Sequence, residues 1–347
     1  MNKQWLIHLL KFLLFLGIGL GILYWVYVDQ QRTFEAQCAA EGIPATECDL
    51  LEKLWADFGQ VKLFWIGMVI LTYLLSNLSR AMRWRMLIEP LGKRIRLRNA
   101  FMAMMTGYLI NYIVPRAGEV AKCGAIARYE KVPLDQLIGT IVLARSLDVL
   151  CFAIVIGLAF LFNFDLLWSY LQEHALLSTA GAIWTRGWFW LGVSVLLLLA
   201  FVAWSRRRQL LQLAIFQKLW SIVLGFWRGI KTVSQLRQPA LFWGHTVFIW
   251  CMYFLMHYVA FFAFEPTAHL TPADGLTIFV FGSLGILIPT PGGLGSYQFL
   301  VTTALATFYG IPEAEAFSFS MIVFFPPFIC NVLLGFLSLI FLPLLNE

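Results

Sequence analysis

Three short constellations carry most of the polar chemistry in an otherwise apolar chain. The first is Pro115-Arg116-Ala117-Gly118-Glu119-Val120-Ala121-Lys122. Arg116, Glu119 and Lys122 recur every third residue, so a helix places them on one face and lets Glu119 pair with both cations. The leading proline and glycine favour a turn that lines a cavity, because irregular backbone at membrane depth needs water or protein around it. A solvated helix is the plainer alternative. The second constellation is Arg145 and Asp148, three residues apart in an apolar segment. The two either neutralise each other as a structural pair or help to hold an anion. If Glu119 or Asp148 also approaches Arg116, a cation is left over for a phosphate, which arginine's planar fork binds in a bidentate manner. The third is Pro289-Thr290-Pro291-Gly292-Gly293-Leu294-Gly295, followed by Gln298. Its prolines and glycines break the helix, and the freed amides can form an anion-binding nest facing the start of the next helix. The same residues also suit a tight connection and nothing more.

Other polar residues read more simply. Arg80, Arg83 and Arg85 end an apolar run and suit ordinary positive-inside anchors, or else a collar for anionic lipid headgroups. His245 and His257 sit in an apolar run without acidic neighbours, which suits a core or interface better than a proton relay. Cys38 and Cys48 share an acidic loop where a disulfide could persist; the spacing leaves open whether they are bridged. Cys123, Cys151, Cys251 and Cys330 are far apart and read as small core residues. The sequence contains no paired-carboxylate motif, nucleotide-binding glycine loop, metal-ligand cluster or nucleophile elbow. We therefore expect no catalytic residue, no metal, no cofactor and no enzymatic activity.

The elements that must position these residues follow from composition. Of 347 residues, 60% are hydrophobic and 13% charged, with a mean hydropathy of +0.77. Soluble domains have roughly 45–50% apolar and about 25% charged residues. The composition excludes a soluble domain and predicts an all-α integral membrane protein, a single polytopic domain over 1–347. Six full spans are expected: Trp5–Val28, Leu63–Ser79, 134–164, Gly187–Trp204, Leu241–Phe264 and Phe317–Leu342. No small-residue cleavage site follows Val28, so the first reads as an uncleaved anchor. Two short, broken apolar regions, 99–131 and 275–316, read as re-entrant hairpins entering from opposite faces, as an inverted repeat would produce. The acidic loop 29–60 reads as external, with a short helix over Leu50–Phe58; segments 165–186 and 265–274 are external too. Residues 205–239 read as cytoplasmic amphipathic helices. The net charge of +6 is concentrated in the remaining loops, a topology signal that puts both termini in the cytoplasm and requires no nucleic acid.

Arg83-Trp84, Pro115-Arg116-Ala117-Gly118-Glu119, Arg145-Ser146-Leu147-Asp148 and Pro289-Thr290-Pro291-Gly292-Gly293-Leu294-Gly295 occur in an order that resembles the lysylphosphatidylglycerol synthase transmembrane-region family. The resemblance spans about residues 5–340. It implies a bacterial or archaeal membrane protein, placed here in a bacterial inner membrane, that moves lipids in a flippase-like manner. The cargo would be an anionic or aminoacylated phospholipid or a polyprenyl-phosphate-linked lipid. Its headgroup would lie near Arg83, Arg116, Glu119, Lys122, Arg145, Asp148, Pro289, Pro291, Gly292, Gly293, Gly295 and Gln298. The family often carries glutamate where Gln298 stands, which weakens a proton-coupled role there. The soluble aminoacyltransferase domain of two-domain relatives is expected to be missing, so aminoacyl transfer is not assigned. A membrane-embedded lipid-modifying transferase, or an accessory subunit of a separate lipid synthase, is the alternative. Oligomeric state is not legible.

Overall fold

A computed structural model describes residues 3–40, 48–114, 117–173 and 236–346. Every regular element among them is helical. In chain order these are α1 (Lys3–Ala40), α2 (Leu50–Gln60), α3 (Leu63–Ile88), α4 (Leu97–Ile113), α5 (Gly118–Glu130), α6 (Leu134–Phe162) and α7 (Phe164–Glu173), then α8 (Pro239–Phe261), α9 (Pro272–Leu287), α10 (Ser296–Tyr309) and α11 (Glu313–Leu344). Contacts divide the chain into two compact units, Met1–Ala159 with Leu236–Glu347, and Phe160–Gln235. In the second unit, Phe160, Phe164 and Trp168 form a short aromatic ladder. The expected span Gly187–Trp204 and nearly all of the segment 205–239 lie outside the described residues.

Four described helices, over Leu63–Leu91, Leu134–Phe162, Pro239–Phe261 and Glu313–Leu344, are long and apolar enough to cross a membrane. They match four of the expected spans. The protein is an all-α integral membrane protein. The surface of α6 fits that setting: Val142 is 51% exposed and Val149 70%, an apolar strip that water would disfavour and acyl chains would not. The expected external loop 29–60 is largely helical over its described residues, and its short helix is present. Helix α1 continues through it to Ala40, and α2 begins at Leu50 behind an Asp49 cap. Cys38 and Cys48 are joined by a disulfide between these helices.

The two broken regions form helical pairs. Helices α4, α5, α9 and α10 have 17, 13, 16 and 14 residues. At ~1.5 Å per residue none reaches the ~30 Å thickness of a hydrocarbon core. Each pair is flanked by longer helices, so the order long–short–short–long occurs twice, as α3–α6 and α8–α11. Local chemistry sets the breaks. Thr271 and Asp274 form a capping box with Pro272 at the first position of α9. Gly310, at φ +63°, ends α10.

Helices α3 and α8 pack antiparallel. At one end Lys62 N–H donates to Ala263 O (3.0 Å), and the Lys62 ammonium reaches Glu265 at 2.8 Å. That hydrogen bond holds the exposed Glu265 carboxyl below its ordinary range. At the other end Ser79 Oγ lies 2.8 Å from His245 Nδ1. Two apolar cores follow. One gathers Phe261, Val301, Leu305 and Phe319; the other gathers Ile88, Met104, Met105, Ile126 and Leu137. Polar side chains bind helices across the interior: Asn331 of α11 accepts from Tyr73 of α3 and donates to Tyr112 of α4 (3.0 Å for the second bond). Such bonds are common between helices in lipid, where few other partners exist. Pro326 and Pro327 lie within α11, shortly before Asn331.

Close approach requires glycine at several positions, two of them at the turns of the helical pairs. A Cβ on Gly118 would lie 2.0 Å from Gly107 O, so only glycine lets α5 fold back this tightly on α4. A Cβ on Gly292 would lie 1.8 Å from the Tyr112 ring, and its φ is +63°. The turn between α9 and α10 therefore seats against the end of α4. Gly292→Ala is expected to destabilise the protein by about 1–3 kcal/mol through overpacking. Gly310→Ala has the same positive φ but open space around it, and should cost about 1–2 kcal/mol from the left-handed backbone alone. Thermal unfolding of both purified variants separates the steric effect from backbone strain.

Candidate functional site

Three helices each bring residues at i and i+3 to one crevice. Helix α3 supplies Arg80 and Arg83, with Trp84 beside them; α5 supplies Glu119 and Lys122; α6 supplies Arg145 and Asp148. Residues three or four apart share a helix face, so three short helical spacings build one polar surface. Met104, Ile141 and Ala144 complete the walls. The crevice is narrow, with about 20 Å³ of free volume. Helix α6 is anchored on either side of it: Leu137 and Ile141 join one apolar core, and Val155 and Ala159 join another with Phe279.

The deepest element is an ion triad. Arg83, 2% exposed, donates through Nη2 to Asp148 Oδ1 at 2.7 Å. Arg80 Nη2 lies 3.3 Å from Asp148 Oδ2. Arg80 also donates to the Tyr108 hydroxyl at 3.1 Å, and its guanidinium lies 5.4 Å from the Tyr253 ring. Its Nε, buried, has no hydrogen-bond partner among the described residues. The second element is Glu119, which receives Lys122 Nζ at 2.7 Å on one oxygen and Arg145 on the other. Lys122 Nζ also sits 4.7 Å from the Trp84 ring, and Trp84 Nε1 donates to Thr140 Oγ1 at 3.0 Å. Four cations thus face two carboxylates, an excess of two positive charges around one crevice. Arg145 is the accessible member, with its side chain 49% exposed.

This geometry corrects several expectations. Arg145 and Asp148 do not neutralise each other; each pairs with another helix, because α6 turns both inward at different depths. Arg83 is no solvated anchor, and neither is Arg80. Both are drawn inward by Asp148, while Arg85 stays exposed. Arg116 and Pro115 lie outside the described residues. Pro289, Pro291, Gly292, Gly293, Gly295 and Gln298 do not line the crevice. Nor do they form an open nest. Gly293 N–H donates to Thr290 O and Leu294 N–H to Pro291 O, while Gly295 N–H donates to Gln298 Oε1 at 2.8 Å. With these amides consumed, the segment is a sealed turn. Gln298, fully buried, acts as a helix cap, a task that a glutamate oxygen could also perform.

Tyr108 and Tyr253 were missed as neighbours of the site, and Arg80 was read as an anchor or as part of a headgroup collar. The signal was available for Arg80: Thr72, Ser76, Ser79, Arg80 and Arg83 form a polar stripe at helical spacing along an apolar span. Polar groups in a span normally face the bundle interior.

The description "Lysylphosphatidylglycerol synthase TM region" matches residues 50–335. The chain belongs to that family. Glu119, Lys122, Arg145 and Asp148 all fall within the matched stretch, as do both helical pairs. Membership ties this multi-pass membrane protein to lipid synthesis or translocation. No curated protein and no solved structure matches the chain.

The ion pairs differ in what their loss would leave behind. Asp148→Asn strands two buried arginines and should cost about 3–5 kcal/mol, the usual penalty for breaking a buried pair from one side. Glu119→Gln strands Lys122 and the half-exposed Arg145, which water can reach, so its cost should be smaller. Thermal unfolding in one detergent should rank the variants in that order.

Proposed function

We propose that the protein translocates lipids, holding an anionic headgroup in the crevice between α3, α5 and α6. A single observation carries this reading: the crevice has two more positive charges than its own carboxylates can balance. A fixed cation away from bulk water is costly unless it is paired and hydrogen-bonded. A phosphate supplies both the missing charge and acceptors for Arg80 Nε and Arg145. The exposed apolar strip on α6 beside the crevice suits acyl chains that stay in the bilayer while the headgroup is bound.

The cargo is an anionic phospholipid, an aminoacylated phospholipid or a polyprenyl-phosphate-linked lipid; all present a phosphate. The role is transport rather than bond making, since Glu119 and Asp148 are both engaged by cations and neither is free as an acid or base. A separate lipid synthase is a natural partner for such a carrier. The distribution of basic loops favours a bacterial inner membrane with both termini cytoplasmic.

Arg145→Gln is the informative variant, because its side chain is half-exposed and its loss should leave the fold intact. A charge-assisted hydrogen bond contributes about 1.5–3 kcal/mol, so Arg145→Gln should slow scrambling of a fluorescent phosphatidylglycerol in proteoliposomes by roughly tenfold or more. Unchanged scrambling in the folded variant, or no scrambling by the wild type of any anionic lipid, would refute the reading.

A further inference from the structure

A second crevice has the opposite electrostatic character. It lies between α1, α10 and the start of α11, and has a cavity volume of about 80 Å³. Asp29, Gln30, Thr302 and Glu313 line it, and Trp25 and Phe299 form an aromatic wall with ring centroids 5.5 Å apart. No lysine, arginine or histidine is among its lining residues.

The hydrogen bonding inside is incomplete. Gln30 donates through Nε2 to Glu313 Oε2 at 2.8 Å, which fixes the amide and leaves Oε1 as an acceptor. That oxygen has no donor among the described residues, although Gln30 is only 6% exposed. Thr302 Oγ1, in a residue 2% exposed, is also unpartnered. Two carboxylates and the buried, unfilled Gln30 Oε1 call for a guest that is positively charged and carries N–H donors, and the Thr302 hydroxyl can accept from it. Trp25 adds the face of an indole, the aromatic ring that attracts cations best.

We propose that this crevice binds an organic ammonium group, with Glu313 and Asp29 as counter-ions, Gln30 Oε1 and Thr302 Oγ1 as acceptors and Trp25 as a cation–π wall. The site shares no residue with the basic crevice and does not depend on how that one is read. Trp25, Asp29 and Gln30 precede residue 50, where the family match begins, so the site includes a feature of this chain outside the matched region. It adjoins the disulfide: Gln31, next to Gln30, donates to Cys48 O at 2.8 Å. An ammonium can arrive on a lipid headgroup or on a soluble amine, and the chemistry is the same.

The test uses the full chain. In nanodiscs, native mass spectrometry should show preferential retention of phosphatidylethanolamine over phosphatidylglycerol if the ammonium is lipid-borne. In detergent, cadaverine should raise the melting temperature if the ammonium is soluble. Either outcome supports the site and identifies the source. Asp29→Asn with Glu313→Gln should weaken the positive arm at least tenfold. Thr302→Val should leave the amine-free melting temperature equal or higher, since it removes an unpartnered buried hydroxyl, and should still weaken binding. That single variant decides the matter if the double variant does not fold. Failure of both amine probes to bind the wild type, or unchanged binding in folded variants, would overturn the proposal.

Discussion

The buried triad of Arg80, Arg83 and Asp148 is the interaction on which the basic crevice depends. Burying two guanidinium groups is expensive, and a single carboxylate balances only one of them. Asp148 accepts from both arginines, and the triad joins α3 to α6, although α6 otherwise presents a largely apolar surface to lipid. Tyr108 and Tyr253 supply a hydroxyl and a ring where a second carboxylate would have completed the balance. The arrangement therefore retains positive charge in a place where hydrocarbon would exclude it. Glu119 repeats the pattern nearer the surface, one acid between Lys122 and Arg145.

Backbone proximity makes those ion pairs geometrically possible. Glu119 stands one residue after Gly118, at the point where α5 turns back against α4. Asn111 Oδ1 accepts the Gly118 N–H at 2.8 Å, fixing the start of α5 while Gly107 gives it room. The other helical pair resolves the same need differently. Its turn is closed by its own side chains, with Ser296 Oγ donating to Gly285 O at 2.7 Å and Gln298 capping Gly295. One pair thus directs charge away from its turn, whereas the other closes its turn with hydrogen bonds of its own.

Much of this was readable from residue order, and the failures have physical causes. The long helices were legible because apolar runs of span length permit little else. The i, i+3 spacing of Glu119 with Lys122 and of Arg145 with Asp148 correctly placed each pair on one face. Spacing along one helix could not say that Asp148 would prefer arginines on α3, since ion-pair choice depends on which faces tertiary packing brings together. Arg83 looked like a membrane-edge anchor because such anchors are common at the ends of spans, and one extra helical turn of depth is invisible to composition. The glycine-rich turn misled for another reason. Its amides look available in the sequence, but Thr290 O, Pro291 O and Gln298 Oε1 are local acceptors that take them.

Helix α11 joins two regions of different character. Its first half, including Phe317, Phe319 and Phe324, is buried in apolar packing. Its second half carries Asn331 between two tyrosines. Proline has no N–H, so Pro326 and Pro327 leave the carbonyls of Ile322 and Val323 without their usual donors four residues on. The rod is therefore notched between its halves. A torque on the tyrosine end need not be transmitted in full to the phenylalanine end, because the stiffness of an α-helix resides in the ladder that these two residues interrupt.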